Sequence, residues 1–217
     1  MSHHRRGRFI VFEGGEGSGK TTQAARLAAA LDAVLTREPG GTRAGEHIRQ
    51  LLLDPTMPAV GARAETLLML AARAEHVDQV VVPALESGRD VVCDRFSGST
   101  IAYQGYGRGL DPGELGRLSR WASGGLEPDL VLLVTVAPEE AARRRATRSD
   151  DGRPTDRMEE EAPTFHARIA DGFAEQARLD PARWVPIDGS GTPEEVAARV
   201  LAALGRLTPA PPDPGPA

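Results

Sequence analysis

Gly14-Gly15-Glu16-Gly17-Ser18-Gly19-Lys20-Thr21 satisfies every constrained position of the pattern Gly-x-x-x-x-Gly-Lys-Ser/Thr, a phosphate-cradling loop. Its flanks decide the fold. Phe9-Ile10-Val11-Phe12 before it is a short apolar run of strand composition, and the Ala/Leu-rich stretch from Thr22 to Leu31 reads as a helix. Glycines between a strand and a helix N-terminus let backbone N–H groups converge on an anion, because no Cβ holds the ligand away. In such a loop Lys20 reaches the β- and γ-phosphates of a nucleoside triphosphate, and the Thr21 hydroxyl ligates Mg2+. Gly14, Gly15, Glu16, Gly17, Ser18, Gly19, Lys20 and Thr21 are therefore the expected nucleotide-binding set.

Outward from this loop, strand and helix signals alternate. Apolar runs at Phe9–Phe12, Val34–Thr36, Val91–Cys93, Leu130–Val136 and Trp184–Ile187 predict a five-stranded parallel sheet covered by helices on both faces. Asp111-Pro112-Gly113-Glu114 and Thr192-Pro193-Glu194-Glu195 each carry a capping residue, a proline at the first helical position and a glutamate three residues after the cap. The stretch Ala64 to Leu85 holds apolar residues at helical spacing and is a candidate for core packing and subunit contact. Thr147 to Arg157, charged and holding Gly152 and Pro154, reads as a mobile loop between helices. Prolines recur without period after Thr208, so residues 1–207 are expected to form one domain and 208–217 a disordered tail.

Composition narrows the function classes. The 217 residues suit one α/β domain, and a net charge of −5 gives no basic surface that would make nucleic acid or a membrane the main partner. The single cysteine, Cys93, excludes an intramolecular disulfide and ends an apolar run, as a buried small hydrophobe does. No apolar run approaches the length of a membrane span, and glycines and Glu13 interrupt any leader-like start, so a cytoplasmic protein is expected.

A phosphate loop alone fits kinases, GTPases, transport ATPases and helicases. The absence of an Asn-Lys-x-Asp segment weakens the GTPase reading, and the last two classes usually need a longer chain. Two further segments point to a small-molecule kinase. Thr36-Arg37-Glu38-Pro39-Gly40-Gly41-Thr42 and Asp94-Arg95-Phe96 follow the second and third strands, at the carboxyl edge where open α/β sheets bind ligands. Asp94 stands where a strand-end carboxylate helps position Mg2+, and Arg95 could bridge donor and acceptor phosphates.

Together with Ala71-Ala72-Arg73-Ala74-Glu75-His76-Val77, Ala102-Tyr103-Gln104-Gly105 and Asp156-Arg157-Met158-Glu159, these segments resemble the thymidylate kinase family over roughly Arg8 to Gly205. The resemblance implies a P-loop NTPase three-layer fold of the nucleoside monophosphate kinase type with a lid at about 147–157. It implies ATP-dependent phosphorylation of dTMP to dTDP with Mg2+, by a homodimer. Glu16 resembles the acidic residue beside the sugar 3′-hydroxyl, and Arg37 and Glu38 the pair that shapes the acceptor cleft. Arg49 and Arg95 match arginines that hold the acceptor phosphate. Arg73 matches the arginine that meets a thymine carbonyl, with Thr100 and Gln104 reading the ring imide. Tyr103 would lie against the deoxyribose, and Met69 stands where a phenylalanine commonly stacks on the base. Thr21 and Asp94 are the expected metal ligands. The phosphate loop holds no arginine, so the lid is expected to supply the catalytic one; Arg148 and Arg153 both qualify, among Arg144, Arg148, Arg153 and Arg157. The rival readings are another nucleoside or nucleoside-monophosphate kinase, and a nucleotide-dependent switch module.

Overall fold

Alternate residues of the first strand divide the core. In a computed structural model, which describes residues 6–58, 60–150 and 156–207 (148–150 without their side chains), strand β1 spans Phe9–Glu13. Phe9 and Val11 pack on one face of the sheet, Ile10 and Phe12 on the other, and all four are buried. Strands β2 (Val34–Arg37), β3 (Val91–Asp94), β4 (Leu130–Thr135) and β5 (Trp184–Asp188) complete a wholly parallel sheet in the order β2-β3-β1-β4-β5. Near-continuous apolar strands are what a sheet covered on both faces requires.

The helices are α1 (Lys20–Leu31), α2 (Arg43–Leu53), α3 (Ala62–His76), α4 (Val82–Glu86), α5 (Ser97–Thr100), α6 (Pro112–Ala122), α7 (Pro138–Asp150), α8 (Pro163–Leu179) and α9 (Pro193–Ala203). Leu27 of α1 and Val196 and Val200 of α9 cover Ile10 and Phe12. Val77, Val81 and Leu85, with Phe165, Ile169 and Phe173 of α8, cover Phe9 and Val11. Burying each such side chain stabilises the fold by about 1.5–3 kcal/mol, so the two apolar layers dominate its energetics.

The expected helix starts are realised. Asp111 accepts from the Glu114 N–H at 2.6 Å, and Thr192 and Glu195 form a reciprocal capping box. The expected helix over 64–85 is a continuous helical path interrupted by a π-helical segment, Val77–Val81, between α3 and α4. Pro83 explains the widening: it has no N–H for the carbonyl four residues back, and its ring would crowd that carbonyl. The expected loop over 147–157 begins later than its composition suggests, because Thr147–Asp150 complete α7. Residues 151–155, with Arg153, lie outside the described residues, as do the side chain of Arg148 and the tail 208–217.

Candidate active site

Three strand ends meet at one level. Phe12 of β1 and Arg37 of β2 both pair with Asp94 of β3, so the segments that follow these strands converge at the carboxyl edge. In the phosphate loop, Gly14 has φ 143° and a Cβ there would lie 2.3 Å from the Val134 carbonyl oxygen, so only glycine fits. Gly19, at φ 91°, precedes α1 and no side chain caps that helix. Its first N–H groups are thus left for an anion, reinforced by the helix dipole. Lys20 opens α1 two residues earlier than the Thr22 expected from composition. Its buried Nζ donates to the Gly15 carbonyl at 3.2 Å and lies 3.8 Å from Glu16 Oε2. Burial, and then the nearby Arg95 guanidinium, push the Lys20 pKa down. An ammonium so desolvated gains most when phosphate oxygens arrive.

Thr21 Oγ1 donates to Asp94 Oδ2 at 2.5 Å, while Asp94 Oδ1 is buried with no hydrogen-bond partner among the described residues. This is a hard-oxygen set with one orphaned carboxylate oxygen. It suits Mg2+, which takes one or two protein oxygens and fills its octahedron with water and phosphate.

From Lys20 a cavity of about 460 Å3 runs toward α3 and the π-helical segment Ile101–Gly107. Its near wall holds Glu16, Thr21, Asp94 and Arg95; its far wall holds Met69, Arg73, Thr100 and Gln104. Arg95, at φ 73°, donates through Nη1 to the Gly14 carbonyl at 2.9 Å and Ser99 Oγ at 3.0 Å, and pairs with Glu16 through Nη2. The same guanidinium lies 5.0 Å from the centre of the Tyr103 ring, whose hydroxyl donates to Glu16 Oε1 at 2.9 Å. Arg49, brought in by α2, donates to the Pro39 carbonyl at 3.0 Å. Glu38 also lines this cavity, but it is no free carboxylate. It takes Arg73 Nε at 2.8 Å and faces His76 Nδ1 at 2.9 Å, and His76 Nε2 meets Thr36 Oγ1 at 2.6 Å. Arg73 further donates to Thr100 Oγ1 at 3.0 Å and Ser119 Oγ at 3.2 Å, and lies over the Phe96 ring.

Glu13, the last residue of β1, is buried beneath this site. It accepts from the N–H groups of Phe96 (3.0 Å) and Ser99 (2.9 Å) and from Ser99 Oγ (2.6 Å), so it grips the turn that carries Arg95. Burial pushes its carboxyl from the ordinary 4.5 up to about 7, against the pull of those donors and of Arg95. The native state therefore holds this proton more firmly than the unfolded chain between those two values, and the group's contribution to stability falls as pH rises through that window. In Glu13→Gln the contribution is absent, so the melting temperature of the variant relative to wild type should climb from pH 5 to pH 8. A difference that stays flat over that range in thermal melts would contradict the shift.

A second cleft, of about 320 Å3, opens on the other side of the phosphate loop between Ser18, Gly19, Arg144 and Gly191. Arg144 donates to the carbonyls of Ser18 (3.4 Å) and Gly189 (3.1 Å), and Arg145 to that of Glu16 (3.2 Å), so α7 is tied to the loop.

The cavity thus gathers Glu16, Lys20, Thr21, Glu38, Arg49, Met69, Arg73, Asp94, Arg95, Thr100, Tyr103 and Gln104, all expected from sequence. Ser18 and Gly19 face the second cleft, and Gly14, Gly15 and Gly17 form the loop itself. Sequence reasoning missed Glu13, Glu65 and His76, and the contacts of Arg144 and Arg145 with the loop. A signal existed for two of them: Glu65, Met69, Arg73 and His76 follow one another at four, four and three residues, a single stripe on α3.

Comparison with known proteins adds three findings. A family model described as thymidylate kinase matches residues 12–200. A thymidylate kinase of Synechococcus sp. (strain JA-3-3Ab) is 48% identical over 203 residues, 90% of this chain and 94% of that one; one from Nitratidesulfovibrio vulgaris is 46% identical over 95% of this chain and all of its own. The crystal structure of thymidylate kinase from Ehrlichia chaffeensis superposes with a TM-score of 0.75 at 33% identity, covering 92% of this chain and 99% of that one.

Proposed function

Because the chain belongs to the thymidylate kinase family, we infer that it catalyses the ATP-dependent phosphorylation of dTMP to dTDP. The observation that carries this reading is a single cavity with Lys20 and Thr21 at one end and Arg73 and Gln104 at the other. A pyrimidine monophosphate lying along it would point its phosphate at the phosphate loop.

In this reading the polyphosphate of ATP lies on the amides of Gly14 to Thr21, and its nucleoside in the cleft beside Arg144. Arg49 and Arg95 hold the acceptor phosphate. An oxygen of that phosphate attacks the γ-phosphorus in line, the bond to the β-bridging oxygen breaks, and ADP leaves with its electron pair. No strong general base is required, so these residues act by positioning and by stabilising charge on the transferring group. Mg2+, held by Thr21 and Asp94, would neutralise charge across the β- and γ-phosphates. Glu16 and Tyr103 border the sugar, and Met69 with Phe96 form the apolar wall around the base. The lid at 147–157 supplies Arg148 or Arg153 to the transferring group, within a kinase domain of residues 1–207.

We further propose a cytoplasmic homodimer. No helix among the described residues is long and apolar enough to cross a membrane. Leu67 on α3, 63% exposed, supports a contact through that helix.

The test is coupled ADP release with dTMP, dUMP, AMP, CMP and GMP as acceptors. Preference for dTMP is expected; faster turnover of AMP, CMP or GMP would overturn the reading.

A further inference from the structure

We propose that Glu65, which touches no substrate, fixes the polarity with which Gln104 reads the acceptor base, and thereby excludes cytosine. The inference rests on the dTMP kinase reading and deepens it.

A glutamine amide is ambivalent: it offers a carbonyl acceptor on one side and an NH2 donor on the other. The group turned toward the cavity decides which base edge is matched. Gln104 is 1% exposed and lines the far wall of the cavity. Its Nε2 donates to Glu65 Oε1 at 2.9 Å. That oxygen also receives Arg108 Nε at 3.2 Å, and Oε2 receives Arg108 Nη2 at 3.2 Å. Among the described residues, every group hydrogen-bonded to the two Glu65 oxygens is a donor, so Glu65 meets its neighbours as an acceptor at both oxygens. It takes the NH2 of Gln104 and cannot take its carbonyl. Flipping the amide would set oxygen against oxygen in a buried site, an arrangement that leaves both groups unsatisfied. Gln104 Oε1 is left to the cavity as an acceptor.

The anchor is itself held. Arg108 pairs through Nη1 with Glu161 and lies 4.7 Å from the centre of the Phe165 ring, so the guanidinium that holds both Glu65 oxygens is itself fixed. Beside Gln104, Thr100 Oγ1 already accepts from Arg73 Nη2, which leaves the threonine hydroxyl as a donor. The wall therefore presents a donor next to an acceptor. A thymine or uracil edge, a carbonyl beside an N–H, complements this order. A cytosine edge, an amino group beside an unprotonated nitrogen, opposes it at both positions.

Glu65→Gln removes the constraint, because the amide NH2 it introduces can donate to Gln104 Oε1 and let the Gln104 side chain turn. The ratio of kcat/KM for dTMP to that for dCMP should then fall by about 10- to 100-fold, as expected when a polar match and a mismatch trade places. Glu65→Asp keeps an acceptor-only group and should keep the wild-type ratio even if both rates drop. An unchanged ratio in a folded Glu65→Gln, with both substrates slowed alike, would mean a merely structural glutamate and would overturn the proposal. Should that variant fail to fold because Arg108 loses its anion, a crystal of the wild-type dTMP complex decides: Gln104 must bond Glu65 through nitrogen and face the base through oxygen, and the reverse orientation overturns the proposal. Wild-type preference for dTMP is measured in the same assay, so failure of the kinase reading is distinguishable from failure of this one.

Discussion

Lys20→Ala is expected to lower kcat by about 10^3-fold, the scale on which removing one pre-organised charge from a phosphoryl-transfer site acts. Lys20 is 4% exposed and its pKa is pushed down by burial, so its ammonium is poorly solvated and, in the proposed reaction, would gain from each oxygen of the β- and γ-phosphates. Its two contacts here, the Gly15 carbonyl and Glu16, are modest by comparison. The loss should therefore appear in kcat, with dTMP affinity largely kept, since the far wall of the cavity lies outside its reach. Steady-state kinetics with thermal shift by dTMP separates the two, and retained turnover would mean that the loop does not hold the donor phosphates.

Arg73→Ala should unfold more than it slows. Arg73, 2% exposed, supplies the cation against the carboxylate of Glu38, a residue that is itself 4% exposed. Removing one member of a buried ion pair typically costs about 3–5 kcal/mol, because the surviving charge stays buried. For a chain of this size that corresponds to a fall of about 10 °C in melting temperature. His76 remains beside Glu38 and limits the damage, while Thr100 and Ser119 each lose a donor. Protection against heat by dTMP should vanish as well. The added change Glu38→Gln should restore part of the melting temperature without restoring that protection. A single variant that melts like wild type would show that the pair contributes nothing.

The legible parts of this molecule are the local ones. Eight consecutive residues specify the phosphate loop, and the apolar runs locate all five strands. Four strands end beyond those runs, since Glu13, Arg37, Asp94 and Asp188 still pair in the sheet, whereas β4 ends at Thr135, one residue inside its expected run to Val136. Arg37 and Asp94 line the main cavity and Glu13 grips the turn beneath it, so a search for apolar runs stops one residue short of them. Glu13 is invisible to such a search because its meaning depends on Phe96 and Ser99, more than eighty residues away. Glu65 and His76 share the stripe of Arg73, but only the packing of α3 against the Gln104 segment and the end of β2 gives them partners. Arg144 and Arg145 are lost among the other arginines of the charged stretch, which carries no periodic signal.

One guanidinium belongs to two rooms. Arg95 holds the Gly14 carbonyl, within the loop assigned to the donor, and lies on Tyr103, part of the wall assigned to the acceptor. A shift of either neighbour bears on the other through this guanidinium, which is tied to Gly14, Ser99 and Glu16. Thermodynamic reciprocity then applies: whatever factor one nucleotide imposes on the affinity of its companion, the companion returns in equal measure. A coupling of that kind would let each nucleotide set the affinity of the other without a separate sensing device.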